Sequence, residues 1–184
     1  MLTDNDKALL LEQAKTSILY GLNHHSRNKV INKDVSPNIS KIQSCFVTLY
    51  IRNKLRGCIG SLNASQALFK DVHDNAYAAA FEDPRFPKLT KDEFNTVDIE
   101  ISILSTSEKI EFIDEQDLLS QLRVGIDGLI FEYKHHRATY LPSVWNMLPK
   151  QYLFLNSLKE KAGLKSTFWS TQVKCYRYTT ETIK

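Results

Sequence analysis

The chain has 184 residues, 42% of them hydrophobic and 24% charged, with 24 Lys+Arg against 21 Asp+Glu for a net charge of +3. That is the composition of an ordinary globular protein, long enough to bury a core without disulfide or metal staples. Its longest purely apolar run, Ala76 to Phe81, has six residues, far below the roughly 20 of a membrane span, and the opening stretch Met1–Asp6 has no signal-peptide character.

Thr3 or Asp4 can cap a first helix running to about His25, with Leu10, Ala14, Ser17 and Ile18 on one face. Residues 26–40 are polar, contain Pro37 and read as a long loop. Cys45–Arg52 and Leu55–Ser61 read as two strands around a turn at Asn53-Lys54. Asn63 or Ser65 is expected to cap a second helix to about Phe81, with Leu68, Val72, Ala76 and Ala79 along one side. Asp83-Pro-Arg-Phe-Pro87 must break it, because each proline lacks a donor and restricts its predecessor.

Val97, Ile99, Ile101 and Ile103 alternate with Asp98, Glu100 and Ser102, the clearest half-buried strand of the chain. Asp114–Leu122 reads as a short helix. Gly128–Tyr133 and Arg137–Leu141 read as a second hairpin, and Pro142–Leu148 as a helical turn. Gln151–Ala162 reads as a helix stopped by Gly163, and Val173–Tyr178 as a closing strand. Hairpins and helices mix without regular βαβ winding, so the expected class is α+β with mostly antiparallel sheet.

Charge falls in blocks: residues 1–60 carry +5, 61–120 carry −8 and 121–184 carry +6. No basic stripe emerges, which disfavours nucleic acid as a partner. Cys45, Cys58 and Cys175 are odd in number and widely spaced, which points to reduced thiols in the cytoplasm. No CxxC, HxH or HExxH occurs, and the adjacent pairs His24-His25 and His135-His136 splay apart. No metal site and no cofactor is expected.

The segment densest in chemistry is Leu55-Arg-Gly-Cys-Ile-Gly-Ser61. Gly57 and Gly60 within a strand leave room for another backbone or a ligand. Arg56 and Cys58 share a strand face about 6.6 Å apart, where a guanidinium would favour the thiolate. The competing reading is structural. A turn at 53–54 places Cys58 opposite Leu49, beside Val47, among core residues, and one slip of register reverses this. Arg85, in its rigid loop, could bind a carboxylate or phosphate, or pin the loop by pairing with Glu82 or Asp83. Glu100 is a general-base candidate or a solvated strand residue. Arg137 and Thr139 share a strand face. Asp127-Gly128 reads as a turn and Trp145 as a core anchor.

This segment resembles the signature of the AMMECR domain family, which includes the proteins called AmmeMemoRadiSam system protein A. The resemblance continues through Asn75–Phe81, Asp83–Pro87, Ile99–Ser102, Gly125–Ile130, Arg137–Trp145, Lys161–Gly163, Phe168–Ser170 and Tyr176–Tyr178. It departs at Asn53-Lys54 and at Lys134-His135-His136, where glycine-containing turns are usual. The resemblance implies one domain over 1–184 with a larger and a smaller subdomain and a groove between them. It implies no established reaction, and it suggests a Memo-type protein and a radical-SAM enzyme as partners.

Three functions fit these residues. The first is a binding or adaptor domain whose mixed-charge cleft takes a small polar or anionic ligand or a partner segment, through Arg56, Gly57, Gly60, Arg85, Arg137 and Thr139. The second is an enzyme with Cys58 as nucleophile and Glu100 as base. The third is an RNA-associated factor.

Overall fold

A computed structural model describes residues 2–30 and 35–184. The chain divides into two units, Met1–Leu104 with Glu181–Lys184, and Ser105–Thr180. Both combine antiparallel strands with helices, so the protein is α+β.

In the first unit, helix α1 spans Asp4–His24. Thr3 is its N-cap in a capping box with Asp6, which satisfies two orphan donors at once. Asp6 also accepts from Ser36 and Asn38, so the helix start anchors the end of the following loop. These bonds, with Ser36 foremost, hold the Asp6 carboxyl well below its ordinary range. The loop expected over 26–40 is thus seen in part, residues 31–34 lying outside the described residues.

Strands β1 (Cys45–Ile51) and β2 (Lys54–Gly60) form a hairpin. Helix α2 (Leu68–Phe81) and the short α3 (Lys91–Phe94) follow. Strand β3 (Val97–Leu104) pairs with β1. The sheet order is β2-β1-β3-β8, where β8 is Thr180–Ile183. Leu10, Ala14 and Ile18 of α1 and Val72, Ala76 and Ala79 of α2 share one core with Val47, Leu49, Ile99 and Ile101.

Two expectations are corrected here. The cap of α2 is neither Asn63 nor Ser65 but Ala67, with no side-chain bond. The carbonyls of Ile39 and Lys41 instead take the first amides of the helix, at Phe69 and Leu68, so backbone from the preceding loop replaces a side-chain cap. The hairpin turn is Arg52-Asn53, not Asn53-Lys54. Both residues have positive φ, 51° and 61°, the demand of a two-residue type I′ turn.

In the second unit, strands β4 (Glu108–Ile110), β5 (Gly128–Tyr133), β6 (His136–Tyr140) and β7 (Lys174–Tyr178) form a sheet of order β4-β7-β5-β6. Helices α4 (Glu115–Gln121) and α5 (Gln151–Lys161) and a 3-10 turn at Pro142–Asn146 complete it. Trp145 is a core anchor as expected: it stacks on Phe154 at 3.8 Å, and its Nε1 donates to the Asp127 carbonyl at 2.7 Å. The Asp127 carboxylate closes the turn from Arg123, while Gly128 already belongs to β5.

Candidate functional site

The Arg-Gly-Cys segment sends three consecutive residues in three directions. The cause is a β-bulge: Tyr50 pairs with Leu55 and Leu49 with Gly57, so Arg56 is the extra residue of β2. A bulge cancels the alternation that would put Arg56 and Cys58 on one face. The buried Arg56 turns to a partly exposed Glu93, through Nε at 2.8 Å and Nη2 at 2.9 Å, and also donates to the Lys88 carbonyl. Gly57 faces α2, where the space a Cβ would fill is 2.1 Å from the Ala79 carbonyl oxygen. That position answers the close-backbone reading of the glycine. Gly60 lies likewise under the Phe46 ring.

Cys58 pairs with Thr48 rather than Leu49, and Thr48 pairs in turn with Glu100. The corrected turn alone would put Cys58 opposite Val47, still on the core face; the extra residue at Arg56 moves it opposite Thr48, so Cys58 leaves the Val47–Leu49 face and is half-buried on the other one. Cys58, Thr48 and Glu100 form a row across three strands. Thr48 Oγ1 donates to Cys58 Sγ at 3.3 Å. Glu100 is not a solvated residue: its side chain is 12% exposed and pairs with Lys184 at 2.9 Å. Tyr50 belongs to the same neighbourhood. Burial, followed by the charges of Glu100 and Cys58, raises its phenol pKa.

Strand β2 lies at the sheet edge, so the Cys58 backbone needs partners from outside the ladder. The Asp-Pro-Arg loop supplies them. Asp83 Oδ2 accepts from the Cys58 amide at 2.9 Å, and Arg85 Nη2 donates to the Cys58 carbonyl at 3.0 Å. Asp83 and Arg85 are themselves tied by Nε–Oδ1 and Nη2–Oδ2 bonds of 2.9 and 2.7 Å. Together they offer one acceptor and one donor, as a neighbouring strand would. The Arg85 bonds hold the Asp83 carboxyl at about 2. Glu82, the other partner considered for Arg85, pairs with Arg27 instead. The Arg85 side chain remains 54% exposed.

Cys45 and Cys175 differ from Cys58. Both are fully buried, and burial raises the Cys45 thiol and pushes Cys175 up to about 12. Iodoacetamide is therefore expected to label Cys58 alone in the folded protein and all three thiols in denaturant. Labelling of Cys45 or Cys175 at the Cys58 rate without denaturant would contradict this assignment.

The AMMECR1 family model matches residues 11–183. The chain belongs to the AMMECR1 family. Protein MJ0810 of Methanocaldococcus jannaschii is 32% identical over 184 residues, covering 94% of this chain and 90% of that one. A protein of Sulfolobus acidocaldarius is 39% identical over 158 residues, covering 78% of this chain and 68% of its own. The crystal structure of the uncharacterized protein PH0010 from Pyrococcus horikoshii matches with a TM-score of 0.91 and 30% identity, covering 98% of this chain and 92% of that one. These names carry no reaction, so AMMECR1 membership here establishes fold and kinship.

Within the AMMECR1 signature, Cys58, Glu100 and Arg85 lie in one neighbourhood of the first unit. Arg56 and Gly57 face away into packing. Arg137 and Thr139 belong to the second unit. Arg137 Nε pairs with Glu132 at 2.7 Å. Thr139 Oγ1 donates to the Leu129 carbonyl and meets the Tyr178 hydroxyl at 2.8 Å. Tyr178 is 2% exposed, so it packs the sheet. Sequence reasoning missed Thr48, Tyr50 and Lys184. Thr48 and Tyr50 alternate with Val47 and Leu49, a signal that correct register would have exposed. Among the described residues no group of three or more His, Cys, Asp or Glu could hold a metal, and no helix is long and apolar enough to cross a membrane.

Proposed function

We propose that this AMMECR1 protein is a binding domain for a small polar or anionic ligand, or a partner segment bearing one, that docks at the Cys58–Thr48–Glu100 row with Arg85 as its anion contact. The observation that carries the reading is the half-exposed Arg85 guanidinium. Asp83 and the Cys58 carbonyl hold it rigidly, so little side-chain entropy remains to be lost on binding. The thiol, the Thr48 hydroxyl and the Glu100 carboxylate add polar groups of different character for orientation. The Memo-type protein and radical-SAM enzyme implied by the resemblance are the partners this reading proposes.

A paired labelling experiment tests it. Iodoacetate is an anion and iodoacetamide is neutral, with the same electrophilic carbon. The iodoacetate-to-iodoacetamide rate ratio at Cys58 is expected to exceed that of a small free thiol by about fivefold, the worth of about 1 kcal/mol of charge attraction. Arg85→Gln should abolish the excess and Arg85→Lys should restore part of it. A ratio equal to the small thiol's and indifferent to Arg85 would remove the anion site.

One observation favours a second reading, thiol chemistry at Cys58. The Thr48 hydroxyl donates to Sγ, and a donor favours the thiolate. Under that reading Cys58→Ser abolishes function in vivo. Under the binding reading the serine variant works and Arg85→Gln does not.

A further inference from the structure

The second unit holds a concavity that none of these roles uses. Its volume is about 440 Å³, and Glu132, Lys134, Gln172 and Lys174 line it. It is open to solvent, and Lys134, Gln172 and Lys174 on its wall are exposed. Lys174 is the cross-strand partner of Glu132 on β7, and Arg137 is its partner on β6. Side chains of such partners project on one face. Glu132 sits between two cations and is committed to Arg137, with Nε–Oε1 at 2.7 Å. Lys134 and Lys174 join no ion pair among the described residues. Two lysines without an ion pair of their own therefore line the same concavity, and the carboxylate beside them, Glu132, is paired with Arg137.

The turn that delivers Lys134 makes the arrangement more pointed. Lys134 has φ 54°, a left-handed conformation that glycine or asparagine adopts more cheaply. Its ammonium lies 5.2 Å from the Tyr133 ring centroid, a cation–π contact that restrains it. His136 fixes the other side of the turn through its Nδ1 bond to the Ala162 carbonyl at 2.8 Å.

We propose that this concavity is a binding site for a small phosphomonoester carrying hydroxyl groups. The Lys134 and Lys174 ammonium groups flank the dianionic phosphate, for which lysine serves as a point-charge ligand. The Gln172 amide donates to a phosphate oxygen, and the Glu132 carboxylate accepts from a hydroxyl of the ligand.

The test is a calorimetric titration of the full chain with glycerol 3-phosphate, inorganic phosphate and glycerol. Glycerol 3-phosphate is expected to bind with a Kd of about 1 mM or tighter, inorganic phosphate several-fold more weakly, and glycerol not at all. The double variant Lys134→Gly/Lys174→Gln should weaken glycerol 3-phosphate at least tenfold. It should also fold, since glycine suits the backbone at 134. Lys91→Gln, in the first unit, should leave binding unchanged. Equal loss in Lys91→Gln, binding untouched by the double variant, or no heat with glycerol 3-phosphate at about 10 mM would each overturn the proposal. Preference for a phosphopeptide or an anionic vesicle over glycerol 3-phosphate would also overturn it.

Discussion

Gly57→Ala is expected to cost about 3 kcal/mol or more of folding stability, read as a lowered urea midpoint. The added methyl would meet the Ala79 carbonyl oxygen at 2.1 Å and the Ala79 carbonyl carbon at 3.1 Å. Those atoms belong to helix backbone and cannot swing aside as a side-chain tip can. Relief requires α2 to lift from the sheet, which opens the core around Val72, Ala76 and Ala79. Gly125→Ala is the control for backbone conformation. Gly125 has φ +78°, and a methyl added there would meet no atom within 4 Å, so its expected cost is only the left-handed penalty of about 1 kcal/mol. Equal midpoints for Gly57→Ala and the parent would mean that the glycine keeps space for something other than the helix.

The alternation Val97–Ile103 was legible because period two over seven residues has one physical meaning, and β3 is Val97–Leu104. The start of α1 was legible in part: of the two cap candidates Thr3 and Asp4, Thr3 is the N-cap, while the reciprocal bond to Asp6 was missed. The Cys58 environment was not legible. It depends on two local events, the position of a two-residue turn and one extra residue at Arg56. Neither leaves a mark in hydrophobic pattern, yet the turn sets which residues pair and the bulge decides which face the thiol takes. The short elements α3, β4 and β8 were missed because three or four residues carry too little periodicity to be read. Arg56 and Glu93 are 37 residues apart, so their pairing is a product of tertiary packing alone.

That pairing makes Glu93→Ala the second large expected effect, about 3 kcal/mol of lost stability. Arg56 has a side chain only 10% exposed, and its Nη1 is buried without a hydrogen-bond partner. Removing Glu93 leaves the guanidinium, in a poorly solvated place, with the 3.3 Å bond to the Lys88 carbonyl in place of its ion pair. It also breaks the capping box of α3, in which Glu93 accepts from the Thr90 amide at 2.9 Å. The double variant Arg56→Met/Glu93→Ala should recover a large part of the loss, because the buried charge leaves with its partner. The pH dependence has a definite sign. Arg56 first, then the Thr90 bond, hold the Glu93 carboxyl at about 2 against an ordinary 4.5. A folded-state value below the unfolded one means stability that is fully present above about pH 4.5 and drains away as pH falls through about 2. Asp83, also held at about 2, contributes a parallel acid limb. Glu93→Gln should therefore flatten part of the stability loss between about pH 4.5 and about 2, and Asp83→Asn a further part. Urea midpoints that fall with acid as steeply in Glu93→Gln as in the parent would show that the Arg56–Glu93 pair contributes nothing to the fold.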